Sequence, residues 1–243
     1  MCRSALAEAE VEYLDKQSHS IDVKFKVLPK SIESLCSTFQ VDKVEEAYFV
    51  IWTTTPWTIP SNVAVCIHEE IEYIFVRGDN DHFIIAKDLL DECSDRWGIE
   101  LEILGSVLGK EINEITMAHP LYKRESKLLH GDHVTTESGT GCVHTAPAHG
   151  LDDYFICIKN GLESVKALDN RGIFKEEYGP LSGLSTKKGD PIVIELLQDN
   201  KALLAHQQYD HSYPHCWRHK SPVIFMSTPQ WFISMKKSGL SDG

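Results

Sequence analysis

Polar and apolar residues alternate through SIDVKFKVL (20–28), and a period of two predicts a strand with one buried face. EAYFVIWTTT (46–55) is a denser β-rich run, followed by SNVAVCIH (61–68). IEYIFVRGDNDHFIIA (71–86) reads as a hairpin turning at its Gly-Asp-Asn-Asp stretch. ELEILGSVLGKEI (100–112) and HGDHVTTESGTGCVHTAP (130–147) are again strand-like and punctuated by glycine. Helical spacing occurs in four places: SIESLCSTF (31–39) with a serine cap, KDLLDECSDRWG (87–98), GLDDYFICIKNG (150–161), and DPIVIELLQDNKALL (190–204) with proline in its first turn. The tail SPVIFMSTPQWFISM (221–235) is strand-like with polar interruptions. Many short strands with helices set between them predict a mainly β fold, a β-barrel-like core decorated by helices. Neither G-x-G-x-x-G nor a phosphate-binding loop is present.

A hydrophobic share of 42% and a charged share of 25% are ordinary globular values, and 243 residues fit one large domain or two small ones. No apolar run is long enough to cross a bilayer, so no membrane partner is expected. The opening MCRSALAEAEVEY is polar and acidic, unlike a secretory signal. Seven cysteines, odd in number and lacking a Cys-x-x-Cys pair, fit a reducing cytoplasm better than a disulfide framework. A net charge of −12 argues against broad, non-specific nucleic-acid binding but leaves room for a local groove that grips one strand end. Both ends read as cut from something longer.

Two segments hold the candidate chemistry. In WTTTPWTIPSN (52–62), three threonines stand between two tryptophans, and Pro56 removes a ladder donor where the strand should continue. In GTGCVHTAPAHGLDDY (139–154), a glycine turn feeds a short strand, a Pro-Ala-His-Gly loop and then paired aspartates opening a helix. Asp152 fits a helix cap. Asp153, one position inside, fits a carboxylate facing a pocket, where a ligand ammonium would be its natural partner. Cys142 and His144 share a strand face, which leaves open a Cys-His nucleophile pair or a structural histidine beside a small buried thiol.

Together, and in this order, the two segments resemble the signatures of the editing domain inserted in the class I synthetases for isoleucine, valine and leucine. His144 with the HTAP that it opens is similar to the isoleucine form, in its bacterial wording; the valine form typically has lysine there and the leucine form methionine. The relatives usually carry His-Asp where this chain has His149-Gly150. The resemblance covers the whole chain: entry strands over 1–30, an editing core over 31–205, and exit strands over 206–243 that lead back to a catalytic core.

The resemblance implies hydrolysis of Val-tRNA(Ile) at its aminoacyl ester, in a pocket too small for isoleucine, with no cofactor. It implies Asp153, His144 and Thr55 as catalytic residues: Asp153 anchors the α-ammonium, and His144 closes the side-chain end and helps place water. Thr53, Thr54, Trp57, Thr58, Asn62 and Gly141 are implied to bind substrate, with the threonines as pocket wall, Trp57 and Thr58 at the mouth and Asn62 bracing the loop. The implied partners are the acceptor end of tRNA(Ile) carrying valine and the catalytic core of a full-length enzyme. ATP-dependent activation would belong to that core, because no H-x-G-H motif occurs here. SMKKS (234–238) has the wrong order for the KMSKS loop and reads as a solvated basic patch. HSYPHCWRH (211–219) offers Cys216 and His219 to a zinc ion, with Cys2 as half of a second pair, but a full tetrahedral set is missing. Two alternatives remain at this point: a valine-type domain that hydrolyses Thr-tRNA, or a non-catalytic zinc- or RNA-binding insertion.

Overall fold

A computed structural model describes residues 5–228 and Trp231. In chain order, its first half comprises strand β1 (Val11–Lys26), helix α1 (Pro29–Phe39), β2 (Tyr48–Thr53), a 3-10 turn (Pro56–Ser61), β3 (Ala64–Ile67), β4 (Glu72–Gly78), β5 (Asp81–Ala86) and α2 (Leu90–Trp97). The second half comprises β6 (Glu102–Leu108), β7 (Thr116–Ala118), β8 (Glu125–His130), β9 (Val143–Thr145), α3 (Leu151–Lys159), α4 (Thr186–Asp199) and β10 (Leu203–Cys216). One sheet has six strands in the order β10-β1-β2-β5-β4-β6; a second has four, β7-β8-β3-β9. The fold is mainly β with inserted helices, as the periodicity predicts, and its two sheets stay open without closing a barrel. Among the described residues, no helix is long and apolar enough to cross a membrane.

Apolar residues of β1, β2, β4 and β5 fill the main core, where Phe25, Phe49, Phe75, Phe83 and Tyr73 are fully enclosed. Helix α1 closes one side through Ile32, Leu35, Cys36 and Phe39, the i, i+3, i+4, i+7 stripe of an amphipathic helix. It starts earlier than its sequence pattern suggests. Pro29 takes the first helical position, where its missing N–H costs nothing, and Ser31 Oγ instead accepts the Thr116 N–H at 3.1 Å. The β4–β5 hairpin turns at Asp79-Asn80 between paired Gly78 and Asp81, with Asp79 at φ 49°.

Two expectations about element bounds are corrected. Helix α4 begins at Thr186, four residues before Asp190, so Pro191 falls in its second turn; it ends at Asp199, and the Leu203-Leu204 pair assigned to it opens β10. β10 lies largely within the 206–243 stretch that the resemblance alone gave to exit strands; residues 207–213 are mostly polar and exposed, so no alternation marks them, and their partner is the equally polar first half of β1. The tail forms only an isolated bridge, Pro222 with His215, over 221–228; Trp231 is in no regular element, and residues 229–230 and 232–235 lie outside the described residues.

A buried ion pair ties the large sheet to the loop before β9. Asp22 sits opposite Trp52 in the β1–β2 ladder and receives Arg96 from α2, whose Nη2 lies 2.9 Å from Oδ1 and also donates to the Gly139 carbonyl at 2.8 Å. The Asp22 side chain is 2% exposed, and its burial raises the carboxyl above the ordinary carboxylate range even with Arg96 against it. Two residues on, Gly141 has φ +73°, and a Cβ there would stand 2.3 Å from that of Ala86. Glycine is required for this crossing. Arg96→Met is expected to cost about 3–5 kcal/mol, since it strands a buried carboxylate; urea unfolding of both proteins measures it.

Candidate active site

The 3-10 turn exists because β2 has to stop. Thr53 pairs with Ile21, Thr55 leaves the sheet at φ −127°, ψ 69°, and Pro56, which has no N–H to offer, begins the turn. The turn delivers the chain to β3, which pairs antiparallel with β9 and sets His144 opposite Val65. The two signature segments thereby meet around a half-open cavity of about 150 Å³. Trp52, Thr53, Thr55 and Thr58 line it from the first segment; Val143, His144, Ala146, His149 and Asp153 line it from the second.

The hydroxyls form one connected chain. Thr53 Oγ1 lies 3.1 Å from Thr55 Oγ1 and accepts the Thr55 N–H; Thr55 Oγ1 lies 3.3 Å from Thr58 Oγ1. Thr58 Oγ1–H donates to the Thr55 carbonyl at 2.8 Å. That leaves Thr58 Oγ1 as acceptor toward His144 Nε2, 2.9 Å away. On the far side of the ring, Asn62 Nδ2–H donates to His144 Nδ1 at 2.8 Å and to the Ala64 carbonyl at 2.7 Å, while Asn62 Oδ1 accepts from Ser126. These roles agree in a single assignment: His144 carries its proton on Nε2 and accepts on Nδ1. Burial lowers its pKa to about 3, so the ring is neutral at physiological pH and both nitrogens are committed.

Asp153 occupies the third position of α3 and folds back over its helix start, where Oδ2 accepts the Ala146 N–H at 2.7 Å. Gly150 makes room for this, because a Cβ there would stand 2.8 Å from the Asp153 Cγ. Burial raises the Asp153 carboxyl, and the Ala146 N–H opposes the shift. A cation arriving beside it would offset the desolvation that causes the rise.

The other sequence candidates stand apart from the cavity wall. Thr54, just past the end of β2, is not among the residues that line the cavity. Trp57 is 6% exposed and packs into the core; its backbone N–H donates to Asp190 Oδ1 at 2.9 Å and its ring meets His149 edge-on at 4.9 Å, so it supports the site from behind instead of forming a mouth. Asn62 is fully buried behind His144, and Gly141 is a backbone requirement. Cys142 is no partner for His144: its thiol faces the Ile84 carbonyl at 3.7 Å, and burial raises its pKa far above the ordinary range.

Sequence reasoning missed the lining by Trp52, His149, Val143 and Ala146, and the support from Asp190, whose burial raises its pKa to about 6. The only signal for His149 was its place in the Pro-Ala-His-Gly loop. Cys216 Sγ lies 3.5 Å from His219 Nδ1, while Cys2 lies outside the described residues. Among the described residues, no group of three or more His, Cys, Asp or Glu side chains is placed to hold a metal.

Solved structures share this architecture. The P. knowlesi cytosolic leucyl-tRNA synthetase editing domain superposes with a TM-score of 0.62 over 81% of this chain and 97% of its own, at 12% identity. The P. falciparum counterpart gives 0.59 over 80% and 100%, also at 12%. At such identities the likeness concerns the fold, which is that of a synthetase editing domain. The sequence then narrows the assignment. The family description "tRNA synthetases class I (I, L, M and V)" matches residues 1–242, and the chain belongs to that family. Isoleucine–tRNA ligase from Dichelobacter nodosus is 45% identical over 242 residues, and that of Legionella pneumophila (strain Paris) 47% over 240. Each match covers 98% of this chain and 26% of the relative, so the chain spans about a quarter of the length of these curated relatives.

His144 makes the fold sensitive to acid. Below pH 6.5 the unfolded chain protonates this histidine, whereas the folded ring stays neutral down to about 3, so stability falls with pH across that window. Between pH 6.5 and 5.5 the wild type is expected to lose about 1 kcal/mol more than His144→Gln, read from urea midpoints at the two pH values.

Proposed function

We propose that the cavity hydrolyses the ester of Val-tRNA(Ile), freeing valine and the tRNA. The observation that carries this reading is the meeting, on one small cavity, of a buried carboxylate at Asp153 with a hydroxyl-lined wall at Thr53, Thr55 and Thr58. The substrate end has matching parts: an α-ammonium for Asp153, ribose hydroxyls for the threonines and a short aliphatic side chain. An aminoacyl ester is already activated, so the reaction requires neither a metal nor a covalent nucleophile. Thr55, linked to both neighbouring hydroxyls, orients the ribose or the attacking water.

His144 acts as wall. With both nitrogens bonded it offers the pocket a rigid ring edge and sets the size limit. Such a second site is needed because a synthetic pocket rejects a substrate one methylene smaller by only about 1–3 kcal/mol, a limit for which isoleucine against valine is the standard example. The natural partners on this reading are the acceptor end of tRNA(Ile) charged with valine and the synthetase body in which such a domain is inserted. β1 and β10 run side by side from Val11 opposite Cys216, which supports a single point of attachment to that body.

Asp153→Ala is expected to lower kcat/KM for Val-tRNA by about 10- to 100-fold with an unchanged circular-dichroism spectrum. Unimpaired hydrolysis by the variant would remove Asp153 from the site. Wild-type protein is expected to hydrolyse Val-tRNA faster than Thr-tRNA; the reverse order would point to a valine-type domain. His144→Ala should open the wall and let Ile-tRNA be deacylated, a reaction the wild type leaves undone.

A further inference from the structure

Thr58 and Asn62, the two groups that hold the His144 ring, both ride on the 3-10 turn after β2, so the wall is only as fixed as that turn. Its backbone bonding stops short. The Asn62 N–H reaches the Ile59 carbonyl at 2.9 Å, but the Val63 N–H, which would continue the pattern, turns to the Thr145 carbonyl at 3.0 Å. The Pro60 carbonyl is thereby left to a side chain.

The β7–β8 loop supplies it. Arg124 Nη2 donates to the Pro60 carbonyl and Nε donates to the Asn62 carbonyl at 3.2 Å, so one planar fork spans the end of the turn. His119 adds a third bond. Its Nδ1 accepts the Leu121 and Tyr122 N–H groups at 3.0 and 3.2 Å, so Nε2 carries the proton and donates to the Ile59 carbonyl at 3.0 Å. Two residues beyond Arg124, Ser126 donates to Asn62 Oδ1 at 2.8 Å. The backbone and the side chain of Asn62 are therefore held by one short stretch of chain. That stretch is itself closed, with the His119 N–H on the Arg124 carbonyl at 3.0 Å.

Arg124 is used differently from Arg96, which meets the Asp22 carboxylate. The Arg124 cation faces carbonyl oxygens and the Tyr122 ring, 5.4 Å from its centroid. Its charge is thus spent on fixing backbone, through charge-assisted bonds. Arg124 does not line the cavity. Resting on the deacylase reading above, we infer that Arg124 is a positioning residue that sets the size limit of the pocket, acting through Asn62 and Thr58 on His144. Without the fork, the Pro60 and Asn62 carbonyls turn to water, the turn loosens and the ring loses its fixed place. Asp153 is held separately, by the Ala146 N–H, so the attack on a valyl ester survives while the barrier to a larger side chain falls.

The test compares the full 243-residue chain with Arg124→Met, which keeps the length of the side chain and removes the fork. Deacylation of Val-tRNA(Ile) and of Ile-tRNA(Ile) is measured for both. NMR of isotope-labelled histidine reads the His144 tautomer, its signals assigned by their loss in His144→Gln. Wild type is expected to hydrolyse the valyl ester, spare the isoleucyl ester and show His144 with its proton on Nε2 alone. In Arg124→Met the preference for the valyl ester is expected to fall about tenfold or more, with its kcat changed by less than about threefold, and His144 to show both tautomers. Should that variant fold poorly by circular dichroism, Arg124→Lys decides: it keeps the charge without the fork and is expected to lose part of the preference. An unchanged preference, or an equal fall in both rates, overturns the positioning role and leaves the deacylase reading standing. A preference that falls while the His144 signals stay in place overturns the route through that ring. A wild type inactive on Val-tRNA overturns the deacylase reading and the size-limit role with it.

Discussion

A neutral imidazole held between an amide and a hydroxyl is the contact on which the site depends. His144 belongs to the second signature segment; Asn62 and Thr58 belong to the first. Each partner is itself fully used, Asn62 by Ala64 and Ser126, and Thr58 by the Thr55 carbonyl. A buried polar network of this kind is favourable when every member is paired and costly when one is missing, so it fixes the geometry nearly all-or-none. Charge on the ring would break the pattern by turning an acceptor into a donor. Burial prevents this, and the same burial denies the residue any part in proton transfer.

Around that clasp, the fold solves two placement problems with backbone chemistry. The first is to end a strand without leaving its polar groups facing one another, which Pro56 does by opening a 3-10 turn. The second is to bring a distant loop to that strand end. The Asp22–Arg96 pair does this by engaging the Gly139 carbonyl, and the positive φ of Gly141 allows the close crossing over Ala86. A buried ion pair adds little net stability over an apolar contact, but it defines one arrangement, since any other leaves a charge unpaired.

The sequence made the fold class, α2, α3 and the β4–β5 hairpin legible because each has strong local marks: periodicity, a glycine stop, a tight turn. Long-range features were less visible. The outer half of β1 and most of β10 are polar and cover each other, so no hydrophobic alternation announced them. The start of α4 was misplaced because the Asp190-Pro191 pair imitates a helix start, while Asp190 serves Trp57 from inside the helix. Within the site, Thr53, Thr55, Thr58, His144 and Asp153 were found through the two segments as units. Thr54 and Trp57 were swept in with them, and only the folded arrangement separates lining from support. His149 stayed hidden because its tautomer depends on a carbonyl 76 residues away in sequence.

The β1–β10 ribbon has a consequence for how the chain is made. His19 and His206 touch across it although 187 residues separate them. At ribosomal speeds of about 5–20 residues per second, the outer part of β1 waits on the order of ten to forty seconds for its mate to emerge. A strand edge left open that long invites association with other nascent chains. The many charged and polar side chains along this stretch, which obscured it as a strand, are what keep that interval safe.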